Sequence, residues 1–91
     1  SKVGLKVVAI VTVRFATHNL ELAERFVEAI QDHPNVLNAY NVTGDVDYIL
    51  TVLTKDLEEY EKFTLFLRGF QGIVAIQTHL SLREVKQQGG N

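Results

Sequence analysis

The sequence predicts an α+β fold of order βαββαβ, in which a four-stranded antiparallel sheet carries both helices on one face. Three observations lead there. A β-branched run, LKVVAIVTV, stands near the start, and an apolar segment, IVAIQTHLSL, stands near the end. Between them, two stretches with helical spacing flank a pair of short alternating segments joined by a Gly-Asp turn. With 91 residues, 46% of them hydrophobic, the chain reads as one small globular domain that buries roughly 60 to 65% of its unfolded surface.

Residues 1–4 read as a linker remnant, residues 5–86 as the domain and residues 87–91 as a linker-like tail. The first strand, residues 5–13, is β-branched over most of its length. After a polar turn at residues 16–19, LELAERFVEAIQDH places Ala23, Phe26, Val27 and Ile30 at helical spacing, with Glu24, Glu28 and Gln31 elsewhere on the wheel. Pro34 stops that helix. Residues 36–43 alternate and pair, through the Gly-Asp turn, with YILTVLT at residues 48–54. Asp56 and Glu59 then have the spacing of a capping box, each side chain satisfying an orphan amide near a helix start. Tyr60, Phe63 and Leu67 form the apolar stripe of this second helix. Gly69 and Gly72 bracket its exit into the fourth strand, residues 73–82.

A sheet with helices on one face should alternate between apolar and polar positions. This one does not. Val7, Ala9, Val11 and Val13 fall on one side together with Leu5, yet Val8 and Ile10 fall on the other; Tyr48, Leu50 and Val52 likewise oppose Ile49 and Leu53. Two helices cover only one face, so the other calls for a second copy packed sheet to sheet as a homodimer. The plainer alternative is a loosely amphipathic sheet with scattered exposed apolar residues.

Composition narrows the chemistry. Nine Lys and Arg against 11 Asp and Glu give a net charge of −2, which provides no basic field for direct nucleic-acid binding. Cysteine is absent, so there is no disulfide framework, thiolate nucleophile or Cys-based zinc site, in keeping with a cytoplasmic protein. No apolar run approaches the roughly 20 residues of a membrane span, and the sequence reads as soluble. His18, His33 and His79 are scattered with no i, i+4 pair, so no metal site and no cofactor are expected, even with a D-x-D at Asp45 and Asp47. Ser81 and the threonines lack a nucleophile-elbow setting, and no glycine-rich phosphate cradle is present. Paired-carboxylate catalysis needs one acid held protonated by burial, whereas two carboxylates at a hairpin tip are wet and ionised. An enzyme is not expected.

Binding remains. In NVTGDVDYILTV the Gly-Asp turn exposes backbone amides beside two carboxylates, a combination able to hold a zwitterion. Turn chemistry alone accounts for Gly44. It does not account for Asp47, which begins a strand where Asp is disfavoured.

The stretch VLNAYNVTGDVDYILTVLTKDLEEYEKF resembles the effector-binding domain of the leucine-responsive/asparagine-responsive (Lrp/AsnC) family of bacterial and archaeal transcription regulators. The resemblance takes in HPNV before the second strand, the V-T-G-D-x-D-Y hairpin, the aromatic-rich second helix, the G-I-V entry to the fourth strand and the closing T-x-L-S-L-R-E-V-K. It implies a ferredoxin-like domain that pairs through its sheets as a dimeric α/β barrel, assembles further, often to an octamer, and binds amino-acid effectors between dimers. Carried over by position, the effector pocket falls on Gly44, Asp45, Asp47 and Tyr48 and on Thr78, His79 and Leu80. Tyr48 has a competing reading as an aromatic residue packed across the sheet. Thr78 and Leu80 share a face with Val74, Ile76 and Leu82, which also fits core or dimer interface, and His79 points the other way. Many members have Leu-Pro-Gly-Val before the last strand, where this chain has Gly69-Phe70-Gln71-Gly72-Ile73.

Regulators of this family carry an N-terminal helix-turn-helix that the four residues before Leu5 do not form. Lys2-Val3-Gly4-Leu5 resembles the end of the family's linker and Ser1 an expression scar, so an excised domain is favoured over a stand-alone module. The leading functional reading is an amino-acid-binding and oligomerisation domain, its effector not specified by the sequence. The alternatives are an assembly module with no functional pocket and a small ferredoxin-like enzyme, of the dimeric barrel monooxygenase or acylphosphatase type. For the last, Arg14 lies near the place of an anion-binding arginine, but the glycine-rich cradle is missing.

Overall fold

The computed structural model describes residues 6–88. The linker remnant, Leu5 and residues 89–91 of the tail lie outside the described residues. Six elements follow in order: β1 (Val7–Phe15), α1 (Leu20–Gln31), β2 (Val36–Asn41), β3 (Tyr48–Thr54), α2 (Leu57–Arg68) and β4 (Ile73–Leu80). The sheet has the strand order β2-β3-β1-β4, and every neighbouring pair is antiparallel. The predicted βαββαβ order and four-stranded sheet are therefore what the chain builds.

Strand ends depart from the sequence reading, each for a local reason. β1 continues past Val13 to Phe15 because the Phe15 N–H donates to Asp47 Oδ2 at 2.7 Å and its ring packs on the core. β4 ends at Leu80 rather than at residue 82: the Ser81 N–H makes a last bond to Val8 O at 2.7 Å, and beyond it Leu82 and Val85 are 97% and 84% exposed. β2 stops at Asn41 instead of residue 43, where Val42 N–H and Asn41 Nδ2 both turn to donate to Asp47 O.

Helix ends follow their caps. The Asn19 side chain accepts from Leu22 N–H at the start of α1. That helix closes at Gln31, with Asp32 as cap, before the residue preceding Pro34 is driven out of helical geometry. At α2, Asp56 Oδ1 accepts from Glu59 N–H at 2.9 Å. The reciprocal bond is displaced by one residue, since Glu59 Oε1 accepts from Lys55 N–H at 2.7 Å.

The core lies between the sheet and the two helices. Ala9, Val11 and Val13 of β1 and Leu50 and Val52 of β3 are buried against Phe26 and Ile30 of α1 and Phe63 and Leu67 of α2. Each large side chain buried in this way contributes about 1.5–3 kcal/mol. Aromatic rings link the layers: Phe26 meets Phe15, Tyr48 and Phe70 at centroid distances of 5.5, 5.0 and 5.3 Å. Buried side-chain polar atoms among the described residues all have hydrogen-bond partners.

The opposite face carries no helix. Register and alternation place Val8, Ile10 and Thr12 of β1 beside Leu53, Thr51 and Ile49 of β3, with Tyr40 of β2 next to Ile49. Ile10 is 36% and Tyr40 61% exposed, against 0% for Ala9 between the layers. No helix among the described residues is long and apolar enough to cross a membrane.

Candidate ligand sites at the hairpin end of the sheet

The β2–β3 connection turns at Gly44, whose φ of +107° lies in the region that side-chain-bearing residues avoid. Asp45 follows, exposed at the tip. Asp47 sits differently. It is half-buried, its N–H donates to Val13 O at 2.9 Å, and its own carbonyl accepts from Val42 N–H and Asn41 Nδ2. With Oδ2 holding the Phe15 N–H, the residue is tied to both neighbouring strands. This answers why an aspartate stands where strand propensity opposes it. Its carboxylate closes the irregular end of β1, where the β1–β4 register shifts between Arg14 and Phe15.

Two hollows flank this hairpin, one on each side of the sheet. The first, of about 390 Å³, lies on the helix-free face and is lined by Thr12, Arg14, Asp45, Val46, Ala75 and Gln77. Register assembles it, since Arg14 pairs with Ala75 and Thr12 with Gln77 across β1 and β4. It brings one cation and one anion together, and the only ion pair among the described residues is Arg25 with Glu21 on α1.

The second, of about 340 Å³, lies on the helix side, between the start of α1 and the hairpin. Phe15, Leu20, Ala23 and Tyr48 supply its apolar walls, and His18, Asn19, Asn41 and Asp47 its polar ones. Burial, assisted by the Asp47 charge, raises the Tyr48 phenol above its ordinary range, so it stays a neutral hydroxyl.

The residues singled out from sequence are thus distributed over several places. Asp45 belongs to the open-face hollow, Asp47 and Tyr48 to the helix-side cleft, and Gly44 to the turn between them. Tyr48 packs on Phe26 and Phe15, the aromatic role foreseen as the alternative to ligand contact. Thr78 and Leu80 face the helix layer opposite Val11 and Ala9, while Ile76 is the β4 residue level with Val13 and hence with Tyr48. They lie two and four residues further along, about 7 and 13 Å, so a single subunit does not bring them to the hairpin. His79 is exposed on the helix-free face beside Ile10. Val74, expected on the face of Ile76, is displaced by the register shift and exposed.

Sequence reasoning passed over Thr12, Ala75 and Gln77 and gave Arg14 no part in this site. The available signal was Arg14 itself, the one charge in β1. His18 lines the helix-side cleft, and His33 meets Phe63 edge-on and Phe66 at a tilt, with ring centroids 4.9 and 4.5 Å apart. Among the described residues no group of three or more His, Cys, Asp or Glu could hold a metal ion.

Comparison with known proteins agrees with this architecture. Residues 8–90 match the family model described as the Lrp/AsnC ligand binding domain. An uncharacterised helix-turn-helix-type transcriptional regulator of Sinorhizobium fredii is 44% identical over 62 residues, covering 68% of this chain and 37% of its own length. The Bkd operon transcriptional regulator of Pseudomonas aeruginosa is 40% identical, covering 67% of this chain and 40% of its own length. The matched segment therefore spans well under half of either relative. Among solved structures, an AsnC family transcriptional regulator from Agrobacterium tumefaciens superimposes with a TM-score of 0.82 at 29% identity, over 94% of this chain and 56% of that one. A Neisseria meningitidis transcriptional regulator in complex with L-Met gives 0.81 at 26% identity, over 89% and 53%.

Proposed function

This chain belongs to the Lrp/AsnC ligand-binding domain family, and on that premise we propose that it binds a free amino acid in the open-face hollow and pairs with a second copy through the same face. The observation that carries the reading is the pairing of Arg14 and Asp45 around one hollow of about 390 Å³. A guanidinium fork suits the carboxylate of an amino acid, and an aspartate suits its ammonium. Thr12 and Gln77 add hydrogen-bonding groups, while Val46 and Ala75 leave space for a side chain.

The hollow is continuous with the apolar face of Val8, Ile10, Ile49 and Leu53. A copy covering that face removes these residues from water and closes the hollow on its exposed side. Ligand occupancy and assembly then share one surface, so the amino acid biases the association of subunits. Further assembly, to an octamer or a comparable ring, would use the surfaces that the paired sheets leave exposed. The crystallised complex of the Neisseria meningitidis regulator with L-Met supports an amino acid as the class of effector. In a complete cytoplasmic regulator such a change would reach DNA through a separate domain.

Calorimetric titration of the natural amino acids, with light scattering on the same samples, tests the proposal. At least one should bind and alter particle size, and Arg14→Ala should weaken it roughly tenfold or more by removing a charge-assisted contact. No response from any amino acid, with the protein folded and oligomeric, would sink the effector reading and leave an assembly module without a pocket.

A further inference from the structure

β4 is one of the two outer strands of the sheet, so one side of its backbone has no strand partner. Native proteins blunt such edges with charges, prolines or bulges. The other outer strand, β2, is six residues long and irregular between Val36 and Asn38. β4 is eight residues long and regular from Ala75 to Leu80, and IVAIQTHL contains no Lys, Arg, Asp, Glu or Pro. Its edge is ready to accept a strand. Beside it runs a groove of about 330 Å³, between Thr64 and Arg68 of α2 and Ile73, Ile76 and Thr78 of β4. Arg68 is the one charged group of its lining, and the only ion pair among the described residues lies elsewhere, on α1. An extended segment seated between a helix and an edge strand gains main-chain hydrogen bonds from the strand and selectivity from the groove.

The chain carries a segment of matching chemistry. Residues 81–88 leave the end of β4 as an arm, held to the domain at Ser81, whose N–H donates to Val8 O. Beyond it, Leu82 and Val85 are the two most exposed large hydrophobic residues among those described, and Glu84 is exposed without an ion-pair partner there. The arm contributes to a radius of gyration of 14.0 Å, against about 12 Å for a compact chain of this length. In extended form Leu82 and Glu84 fall on one side and Val85 on the other. Laid along β4, the first two meet the groove, leucine on Ile76 and carboxylate on Arg68, while Val85 joins the open face.

The arm does not reach the groove of its own subunit. With Ser81 still bonded to β1, the tightest return turns at Leu82 and Arg83 and sets Glu84 opposite Ser81. That is five residues short of Ile76, about 17 Å. A second copy is free of this constraint. Glu84, four residues beyond Leu80, stands up to about 13 Å from the end of β4, and packed sheets are about 10 Å apart. We propose that two copies exchange arms, residues 82–86 of each adding as a strand to the β4 edge of the other, with Glu84 on Arg68. The occupant is a second copy, as in the pairing proposed above, on which the exchange rests for its partner. Each copy gives one arm and receives one.

The full chain has no cysteine, so thiol cross-linking reports the exchange directly. Thr64→Cys chains mixed in equal amounts with Lys86→Cys chains and treated with a short bismaleimide should give a covalent dimer of one chain of each kind, and neither variant alone should do so. Arg68→Glu and Glu84→Arg should each raise the dimer dissociation constant about two- to thirtyfold in sedimentation, because an exposed ion pair is lost twice in each dimer. The chain carrying both reversals should return to wild-type affinity, which mere damage to the fold would not allow. The proposal is overturned if the mixture gives no dimer beyond that of each variant alone, if a chain carrying both cysteines cross-links only within itself, or if the double reversal associates no better than the single ones. Failure of the open-face pairing shows separately: Ile10→Asp then leaves particle size unchanged while the mixed cross-link still forms. With the pairing right and the exchange wrong, Ile10→Asp separates copies that never gave the mixed cross-link.

Discussion

Replacing Asp47 by alanine separates the structural work of this residue from any ligand work. The substitution removes the acceptor of the Phe15 N–H, a 2.7 Å bond in a half-buried setting. A charge-assisted hydrogen bond contributes about 1.5–3 kcal/mol, and an orphaned donor costs about 1–3 kcal/mol when fully buried. Here water reaches part of the site, so the expected loss is about 1–2 kcal/mol. In urea, with a slope of about 1–3 kcal/mol/M for a small domain, the midpoint should fall by about 0.5–1 M at unchanged slope. Asp47→Asn retains a neutral acceptor and should lose only about half as much. Runs at several matched protein concentrations keep association from entering the comparison. An alanine variant as stable as wild type, without ligand, would refute the view that the carboxylate closes the end of β1. Equal losses in both variants would show that charge, not hydrogen-bond acceptance, is what matters there.

Two further outcomes follow from the fold. Burial lowers the His33 pKa below its ordinary 6.5, with Glu59 pulling it back more weakly, and His33 Nδ1 accepts from Asn35 N–H at 3.2 Å, which only the neutral ring can do. The unfolded chain takes up a proton just below pH 6.5 that the folded chain declines, so stability should fall as pH drops through that window and level off once folded His33 titrates; thermal midpoints of wild type and His33→Leu between pH 8 and pH 5 check it, the variant lacking this component. Gly72→Ala should be the more damaging of two glycine substitutions. Its φ is +97°, and an added Cβ would stand 3.0 Å from Leu22 Cδ1 and 3.1 Å from Phe15 Cδ2. At Gly44, φ is +107° but nothing lies within 4 Å, so alanine meets backbone strain alone, about 1 kcal/mol. Crowding against the Phe15 ring should add about 1 kcal/mol more at Gly72, readable as the difference between the two denaturation midpoints.

Much of the fold was legible because it rests on periodicity. β-Branched alternation marked the strands, the spacing of Phe26 and Ile30 marked α1, and the excess of apolar residues on both sides of β1 marked a sheet with one uncovered face. Strand ends were less legible because they depend on contacts distant in sequence. Phe15 belongs to β1 through a carboxylate 32 residues away, and no local rule assigns that bond. The capping box shows the same limit on a smaller scale: its spacing was visible, whereas the choice of Lys55 over Asp56 as the partner of Glu59 comes from how the chain enters the helix.

The ligand sites were less legible still, since one hairpin contributes to both sides of a sheet. Asp45 and Asp47 are two residues apart and suggest a shared task. The structure gives them different neighbours: Arg14 and Gln77 around one hollow, Phe15, His18 and Tyr48 around the other. What separates them is the pinning of Asp47 by β1, which draws its carboxylate to the helix side while the tip stays free. Charge then decides what each place can hold. The hollow with both signs is the one proposed above for a zwitterion. Reversing the anion of that hollow, by Asp45→Lys, should therefore abolish the preference for a zwitterion and favour a plain carboxylate. Titration of that variant with L-phenylalanine and 3-phenylpropionate reads the outcome, and an unchanged preference would mean that the hollow's charge does not select its guest.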